Sequence, residues 1–289
     1  MKVWEYESMG VWEYESLELK HYHTTDSQTP ILSYIVTSYL RSMKIVPLSE
    51  GAFTVDKTKE FIPFDKTNDD LQERSTGSLL VEIQPFLIIT EKDVLLMDTG
   101  LGFEQDGDMQ IHQLIRKAGV DPNSVTKVLL SHLHKDHVSG AGRKQTDGNR
   151  VPSFPQAIYY IQQRELEYAL EKGFPSYDRE TFSFLQNFSG LVKLEGNGLI
   201  DGYIRYELTG GHSPFHQVFH IETENEHVFF GADVAPQLNQ MKHRFVAKYD
   251  YDGKKCMELR QKWWAQGQKE GWSFLFYHDI KNPIWKFDQ

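Results

Sequence analysis

The segment from Ser131 to His137 constrains this chain more than any other stretch. Its seven residues, Ser131-His132-Leu133-His134-Lys135-Asp136-His137, carry three imidazoles and one carboxylate. The preceding run, Val125 to Leu130, is apolar and contains β-branched residues, so it predicts a buried strand that ends at the first histidine. The segment therefore lies where a strand leaves a sheet and enters a loop.

The spacing within this segment suits metal binding. On extended backbone, side chains two residues apart point the same way, so His132 and His134 can bind one ion together. Asp136 and His137 come one step further along the turn and can face a second ion. Imidazole and carboxylate ligands without a thiolate favour Zn²⁺ or another borderline divalent ion such as Mn²⁺, Fe²⁺ or Co²⁺. A single histidine is usually a surface or core residue, but the complete pattern after a strand predicts a two-metal site.

The pattern His-x-His-x-Asp-His after a strand resembles the signature of the metallo-β-lactamase superfamily of metal-dependent hydrolases. Further segments match that family's motifs in the same order: Leu95-Leu96-Met97-Asp98-Thr99-Gly100, Gly211-His212-Ser213-Pro214, Gly231-Ala232-Asp233 and Tyr277-His278-Asp279. Ordered motifs are far more specific together than any one alone. The resemblance covers about residues 43 to 289, which we expect to form the hydrolase domain, with residues 1 to 42 as an N-terminal extension.

The order of the predicted elements favours an α/β fold. Strands are predicted at 44–48, 51–56, 79–90, 94–97, 125–130, 157–161, 204–208, 217–222, 227–230 and 273–277, and helices at 109–118, 163–172, 180–188 and 253–268. Strands in two batches, each followed by helices, suit two packed sheets with helices on both outer faces. The resemblance implies the same architecture, the four-layer αββα sandwich of the metallo-β-lactamase fold.

The resemblance also implies a role for each candidate site residue. His132, His134 and His212 would hold one divalent ion, Asp136, His137 and His278 would hold the other, and Asp233 would bridge the two. A hydroxide shared by two ions, most simply Zn²⁺, would be the nucleophile. Asp136 would be the catalytic residue that carries a proton to the leaving group. Asp98 would orient a ligand histidine through its free ring nitrogen.

Composition restricts the partners and the setting. A net charge of −10 disfavours nucleic acid, because nuclease and tRNA-processing relatives need basic surface for phosphates. One cysteine, Cys256, rules out an intramolecular disulfide framework and is expected to be a half-buried structural thiol. The acidic N-terminus does not resemble a secretory signal, and the apolar stretch 31–40 is too short for a membrane span, so a cytoplasmic location is expected.

Residues 3–8 and 11–16 are the same hexapeptide, Val-Trp-Glu-Tyr-Glu-Ser. Two short copies are too few for a solenoid and are most simply a local duplication. Their aromatic and acidic character would also suit an arm that pairs two subunits into a homodimer.

Several other residues are expected to have structural roles. His216, His220 and His227 lie in or beside strands, and Tyr249 to Asp252 reads as a turn with a helix cap. Trp263 and Trp264 are expected to pack in the core rather than to stack on a substrate. Asp279 either orients His278 or is exposed.

Within the superfamily, the closest resemblance is to the N-acyl-homoserine lactone lactonases, which hydrolyse the ester of a small lactone ring. Glyoxalase II is disfavoured because few residues follow His278. The chain departs from the lactonases at Pro236, where several of them have a tyrosine, and at Phe215 and Gln217, where small residues are commoner. Two alternatives stay open: an organophosphate triesterase of the methyl-parathion hydrolase type, and a metal-binding scaffold without catalysis.

Overall fold

Strands that are apolar on both faces form the centre of the fold. The computed structural model describes residues 43–287. The predicted N-terminal extension and its expected homodimer contact lie outside these described residues. The strands are, in chain order, β1 (Lys44–Pro47), β2 (Gly51–Val55), β3 (Phe61–Pro63), β4 (Leu79–Ile83), β5 (Phe86–Ile89), β6 (Val94–Met97), β7 (Glu104–Gln105), β8 (Asp108–Met109), β9 (Lys127–Leu129), β10 (Gly142–Lys144), β11 (Arg150–Pro152), β12 (Ile158–Gln162), β13 (Leu191–Leu194), β14 (Gly198–Ile200), β15 (Ile204–Leu208), β16 (Gln217–Glu222), β17 (His227–Phe230), β18 (Ser273–Leu275) and β19 (Ile284–Lys286).

Helices connect these strands and cover the sheets. They are α1 (Gln110–Lys117), α2 (Lys135–Val138), α3 (Gln163–Lys172), α4 (Arg179–Phe182), α5 (Leu238–Lys242) and α6 (Gly253–Glu270). Short 3-10 turns lie at Pro122–Ser124, Ser139–Ala141, Ser183–Asn187 and Ala232–Val234. No helix within residues 43–287 has both the length and the apolar character that crossing a membrane requires.

Two large sheets carry most of the chain. The first has the strand order β1-β5-β6-β9-β12-β13, and the second has the order β14-β15-β16-β17-β18-β19. The neighbours β6, β9, β12 and β13 run parallel, as do β17 and β18, whereas the other pairs in these sheets are antiparallel. A smaller sheet has the order β3-β2-β4.

Alternate residues of the central strands face opposite layers. In β9, Leu129 belongs to the core between the two sheets, while Val128 belongs to the core under α1 and α3. In β17, Phe230 faces the core between the sheets and Phe229 faces α6. Burial on both faces explains why these strands are nearly continuous apolar runs. The four-layer αββα sandwich predicted from the sequence is confirmed.

The single strand predicted over residues 79–90 is wrong, because the chain is interrupted there. The run 79–90 forms two strands, because β4 pairs with β2 in the small sheet while β5 pairs with β1 and β6 in the first large sheet. The break falls at Gln84 and Pro85. Proline has no backbone N–H for a strand ladder, and the Pro85 carbonyl instead accepts a hydrogen bond from the Leu48 N–H at 2.8 Å.

The predicted helix over 180–188 is also only partly right. It begins as α4, whose first turn is capped by the Asp178 side chain, and continues as the 3-10 turn Ser183–Asn187. Residues three apart lie on one side of a 3-10 turn, and Phe182 and Leu185 are both fully buried. The predicted elements did not include strands β3, β7, β8, β10, β11, β13, β14 and β19 or helices α2 and α5. Cys256, which lies on α6, is fully buried in the core beneath that helix. The sequence had predicted a half-buried thiol.

We expect Trp263 to be a main determinant of stability in the outer layer. Its side chain is 1% exposed and packs on Phe229, with ring centroids 4.8 Å apart. Trp263→Ala should lower the free energy of unfolding by about 3–5 kcal/mol, measured by urea denaturation. The exposed neighbour Gln261 is the control, since Gln261→Ala should change that energy by no more than about 0.5 kcal/mol. Equal effects of the two changes would contradict this role.

Candidate metal centre

The candidate site lies along one edge of the two sheets. Asp98 follows β6, the segment 131–137 follows β9, Asp233 follows β17 and His278 follows β18. His212 precedes β16, which runs antiparallel to β17, so that its first residue is at the same edge. The seven predicted metal ligands and Asp98 are therefore brought together, although they come from distant parts of the chain.

Asp233 lies at the centre of this cluster. Its Oδ2 atom is 3.0 Å from Nε2 of His212 and 4.0 Å from Nε2 of His132. Its Oδ1 atom is 2.9 Å from Nε2 of His278 and 3.1 Å from Nε2 of His137. The two oxygens of one carboxylate thus face two different pairs of imidazoles.

The remaining candidate ligands complete two groups around Asp233. Nδ1 of His134 is 3.1 Å from Nε2 of His212. Oδ2 of Asp136 is 3.5 Å from Nε2 of His137 and 3.6 Å from Nε2 of His278. Within each group the facing ligand atoms lie within 4.8 Å of one another; the groups are His132, His134, His212 with Asp233, and Asp136, His137 with His278.

Asp98 orients two of these histidines through their Nδ1 atoms, which face away from the centre of the cluster. Its Oδ2 atom is 2.8 Å from Nδ1 of His137 and accepts a hydrogen bond from the Ser131 hydroxyl at 2.7 Å. Because that hydroxyl donates to Asp98, its oxygen is free to accept from Nδ1 of His132, 3.0 Å away. Both rings then carry their proton on Nδ1, which leaves the Nε2 lone pairs directed into the cluster.

His212 and His278 are oriented in the same way by other partners. Nδ1 of His212 lies 2.9 Å from the carboxylate of Asp250, and Nδ1 of His278 lies 2.8 Å from the main-chain oxygen of Glu82. Carboxylate and carbonyl oxygens only accept hydrogen bonds, so Nδ1 carries the proton in each ring. In their neutral forms the four rings therefore direct Nε2 lone pairs into the space around Asp233.

Burial and charge together favour cation binding in the cluster. Burial lowers the pKa of His132 and of His134 well below the usual range, so these rings are neutral and ready to coordinate a metal. Burial also disfavours the charged form of His137 and His278, but the negative charges of Asp233 and Asp136 outweigh it and raise both pKa values. The two carboxylates thus draw positive charge to the positions where ions would sit.

The residues present fit a pair of divalent ions. Three buried atoms that face the centre of the cluster have no hydrogen-bond partner within the described part of the chain: Nε2 of His132, Nε2 of His137 and Oδ1 of Asp233. Unpaired buried polar atoms are costly unless something binds them. Imidazole nitrogens and carboxylate oxygens, without thiolate, are a suitable donor set for Zn²⁺ and related ions.

Two residues outside the sequence motifs also support this cluster. Glu165, on α3, is fully buried and accepts hydrogen bonds from the Leu133 N–H at 3.1 Å and the Ser213 hydroxyl at 2.9 Å. It joins the first histidine loop to the loop of His212. Asp250 had been assigned only to a turn. Neither residue belongs to a local motif, so the sequence carries no signal for their roles.

The residues expected to be structural have the following positions. His216 is fully buried beside His132, with ring centroids 5.0 Å apart and its Nδ1 atom 3.1 Å from the Thr209 hydroxyl. Asp252 caps α6 by accepting from the Lys255 N–H, as predicted for this turn. Asp279 does not orient His278, since its carboxylate accepts from the Leu238 N–H at the start of α5.

A cavity of about 220 Å³ opens onto the cluster. His134, Asp136, His212, Asp233 and His278 form its base. Its apolar wall consists of Val55, Phe61, Leu79, Leu80, Val81 and Phe245. Tyr249, Gln237 and Gln240 add polar groups to the lining, and Pro236 lies among them. The cavity therefore offers a polar floor and an apolar side.

Glu50 is a second buried carboxyl near this floor. Its Oε2 atom accepts from the Leu101 N–H at 2.7 Å, whereas its Oε1 atom has no partner in the described residues. Burial, reinforced by the negative charge of Asp136, raises the pKa of Glu50 to about 8. In the metal-free protein Glu50 is therefore mostly protonated at neutral pH.

The two-sheet sandwich with a histidine and aspartate cluster at its strand ends is the arrangement of a metal-binding αββα protein. The family model of the Metallo-beta-lactamase superfamily matches residues 82–263, which is more than half of the chain. The chain belongs to the metallo-β-lactamase superfamily, as its motifs predicted.

Individual relatives extend this comparison. N-acyl homoserine lactonase AiiA of Bacillus thuringiensis subsp. kurstaki is 27% identical over an alignment of 169 residues, which covers 51% of this chain and 62% of that protein. The match thus spans less than two thirds of the relative's length.

Solved structures share the fold at low identity. A probable metal-dependent hydrolase from Staphylococcus aureus superposes with a TM-score of 0.69 at 21% identity, covering 86% of this chain and 93% of that one. AidC, a dizinc quorum-quenching lactonase in complex with a product, superposes with a TM-score of 0.63 at 20% identity, covering 85% and 90%.

We expect Glu50 to make the stability of the metal-free protein depend on pH. Between pH 4.5, the ordinary pKa of a glutamate, and about pH 8, the folded carboxyl keeps its proton while the unfolded one loses it. The free energy of unfolding should therefore fall as pH rises through this window, by at most about 1.4 kcal/mol per pH unit from this group. Glu50→Gln should remove that contribution and make the variant progressively more stable than wild type towards pH 8.

Urea denaturation of chelator-treated protein at several pH values measures this difference. Glu60→Gln, at an exposed position, is the matched control and should leave the wild-type slope unchanged. Parallel pH profiles for wild type and Glu50→Gln would show that Glu50 is ionised in the folded protein.

Proposed function

We propose that this protein is a metal-dependent hydrolase that opens the ester bond of N-acyl-homoserine lactones. The observation that carries the proposal is the pair of histidine and aspartate groups joined through Asp233 at the floor of a half-apolar cavity. The similarity to a curated N-acyl homoserine lactonase supports the choice of substrate.

In this proposal the two groups around Asp233 are the metal ligands. His132, His134 and His212 would hold one ion, Asp136, His137 and His278 would hold the other, and the Asp233 carboxylate would face both. Zn²⁺ is the ion that this donor set suits best. When bound, a pair of divalent ions would make a nearby water more acidic and would polarise the scissile carbonyl.

The reaction itself adds water to the lactone. The water oxygen forms a bond to the carbonyl carbon, and the bond from that carbon to the ring oxygen breaks. Asp136 takes the proton that the attacking water loses and delivers it to the ring oxygen, which becomes the hydroxyl of the N-acyl homoserine product. Asp136 is held in place for this task because the Tyr277 hydroxyl donates to its main-chain oxygen at 2.6 Å.

The cavity can accommodate both ends of such a substrate. A lactone ring at the floor would lie beside Asp136 and Asp233, and an acyl chain would lie against the apolar wall formed by Phe61, Leu79 and Phe245. Burying the chain against this wall contributes about 25 cal/mol per Å² of apolar surface removed from water. We therefore propose a small acyl lactone as the substrate.

The first prediction for this function compares two substrates. The kcat/KM for a long-chain acyl-homoserine lactone should exceed that for an aryl phosphotriester, because the cavity has an apolar side for the acyl chain.

Asp136→Asn should lower kcat on the lactone by roughly 10²–10⁴-fold, the usual contribution of proton transfer by a side chain. Metal content measured on the same samples separates loss of proton transfer from loss of an ion.

The outcomes discriminate among the candidate functions. A much higher kcat/KM for the triester would favour an organophosphate triesterase. Metal-replete protein that is inactive on every lactone, ester and phosphoester would be a binding scaffold.

Asp250 contacts His212 but is not among the residues that line the cavity. Asp250→Asn should weaken metal binding about 10–100-fold, since partners of ligand histidines typically have effects of this size. Competition against a chromogenic chelator measures the affinity. Asp252→Asn is the matched control, because asparagine also caps a helix and the Asp252 carboxylate bonds the Lys255 N–H rather than a histidine ring. Equal affinities for the two variants would contradict the assignment.

A further inference from the structure

A second cluster of metal-binding side chains lies on the outer face of the second sheet. His220 and Glu222 are two residues apart on β16, so they point to the same face. His227, on β17, is paired directly opposite Glu222. The intervening Ile221 faces the core between the sheets, which places all three polar side chains on the side of α6.

Three ligand atoms converge in this cluster. Nδ1 of His220 is 2.8 Å from Nε2 of His227, which in turn is 3.7 Å from Oε1 of Glu222. One ligand atom from each of the three residues lies within 4.8 Å of the other two. Adjacent positions on paired strands hold this triangle rigidly, because the sheet fixes the separation of their Cα atoms.

Aromatic side chains restrict the two imidazoles further. Trp272 stacks on His227 with ring centroids 4.1 Å apart and an interplanar angle of 27°. The same indole meets the His220 ring edge to face at 5.2 Å. Little rotational freedom would therefore be lost when these rings bind a common ligand.

The Glu207 carboxylate lies near the ring nitrogen of His220 that is not directed at His227. Among residues 43–287 the buried Nε2 atom of His220 has no hydrogen-bond partner, and Oε1 of Glu207 lies 3.4 Å away without suitable hydrogen-bond geometry. When the proton of the neutral ring is on Nε2, the Nδ1 lone pair faces His227 and Glu222. A carboxylate near the protonated nitrogen favours this form of a ligand histidine.

The charges around the cluster are compatible with a bound cation. Burial lowers the pKa of His220 to about 2 and the pKa of His227 to about 4, so both rings are neutral near pH 7. Arg205 pairs with both Glu207 and Glu222, with its Nη2 atom 2.7 Å from Oε1 of Glu222. One guanidinium between two carboxylates leaves a net negative charge for an ion to balance.

We propose that His220, His227 and Glu222 form a binding site for one further divalent ion, of the Zn²⁺ type, separate from the Asp233 cluster. Three protein ligands leave one position of a tetrahedral ion for water. His227 begins β17 and Asp233 follows its end, so the length of a strand separates the two sites. An ion here joins two neighbouring strands and does not take part in hydrolysis.

Equilibrium dialysis against Zn²⁺, followed by elemental analysis, tests this site. His227→Ala should bind one Zn²⁺ fewer per chain than wild type and should open lactones at the wild-type rate. His243→Ala is the matched control, because His243 is an exposed histidine outside both clusters, and it should bind as many ions as wild type. Equal Zn²⁺ content in wild type and His227→Ala overturns the proposal, as does an equal loss in the control.

A second variant covers the case in which His227→Ala does not fold. Glu222→Gln removes a charged ligand at a half-exposed position and should also lose the additional ion, whereas full retention overturns the proposal. The difference in Zn²⁺ content does not depend on lactone hydrolysis. A protein that opens no lactone but loses one ion on His227→Ala keeps this site and refutes the proposed function.

Discussion

The buried carboxylate of Asp98 is the contact on which the arrangement of the site depends. It accepts from the N–H of Ser131 at 2.7 Å as well as from that residue's hydroxyl, and it lies 2.8 Å from Nδ1 of His137. Through Ser131 it also reaches His132. One side chain after β6 thereby holds both ends of the histidine segment that follows β9.

The backbone around Asp98 is shaped for this role. Asp98 has a φ of +54°, a left-handed conformation that aspartate tolerates better than most residues. Its N–H donates to the Leu129 carbonyl at 3.0 Å, and the Thr99 N–H donates to the His137 carbonyl at 2.7 Å. The backbone of the turn after β6 is thus bonded to the end of β9 and to the end of the histidine segment. Strain of this kind persists only where surrounding contacts enforce it.

The sandwich supplies the rigidity that these contacts need. Strands β6, β9, β17 and β18 are buried on both faces, so their ends cannot shift without disturbing two cores at once. Arg260 of α6 adds a further connection, because its guanidinium donates to the Val234 carbonyl at 2.7 Å, next to Asp233. The outer helix is thereby coupled to the residue at the centre of the cluster.

Local sequence determined the parts of this protein that depend on local periodicity and motif order. Strands β15, β16 and β17 occur at the predicted residues, because alternation along a strand is a local property. The candidate ligands were identified from their residue types and from the order of their motifs. Each candidate ligand lies beside the end of a strand, which lets these residues converge at one edge.

Only the tertiary structure decided the contacts between segments that are distant along the chain. It split the run 79–90 between two sheets at Pro85, which placed the Glu82 carbonyl behind His278. It brought Asp250 to His212, 38 residues away in sequence. It also brought the Arg205 guanidinium beside the His220 and His227 pair. Such pairings depend on how sheets and loops pack in three dimensions, which neither residue spacing nor composition encodes locally.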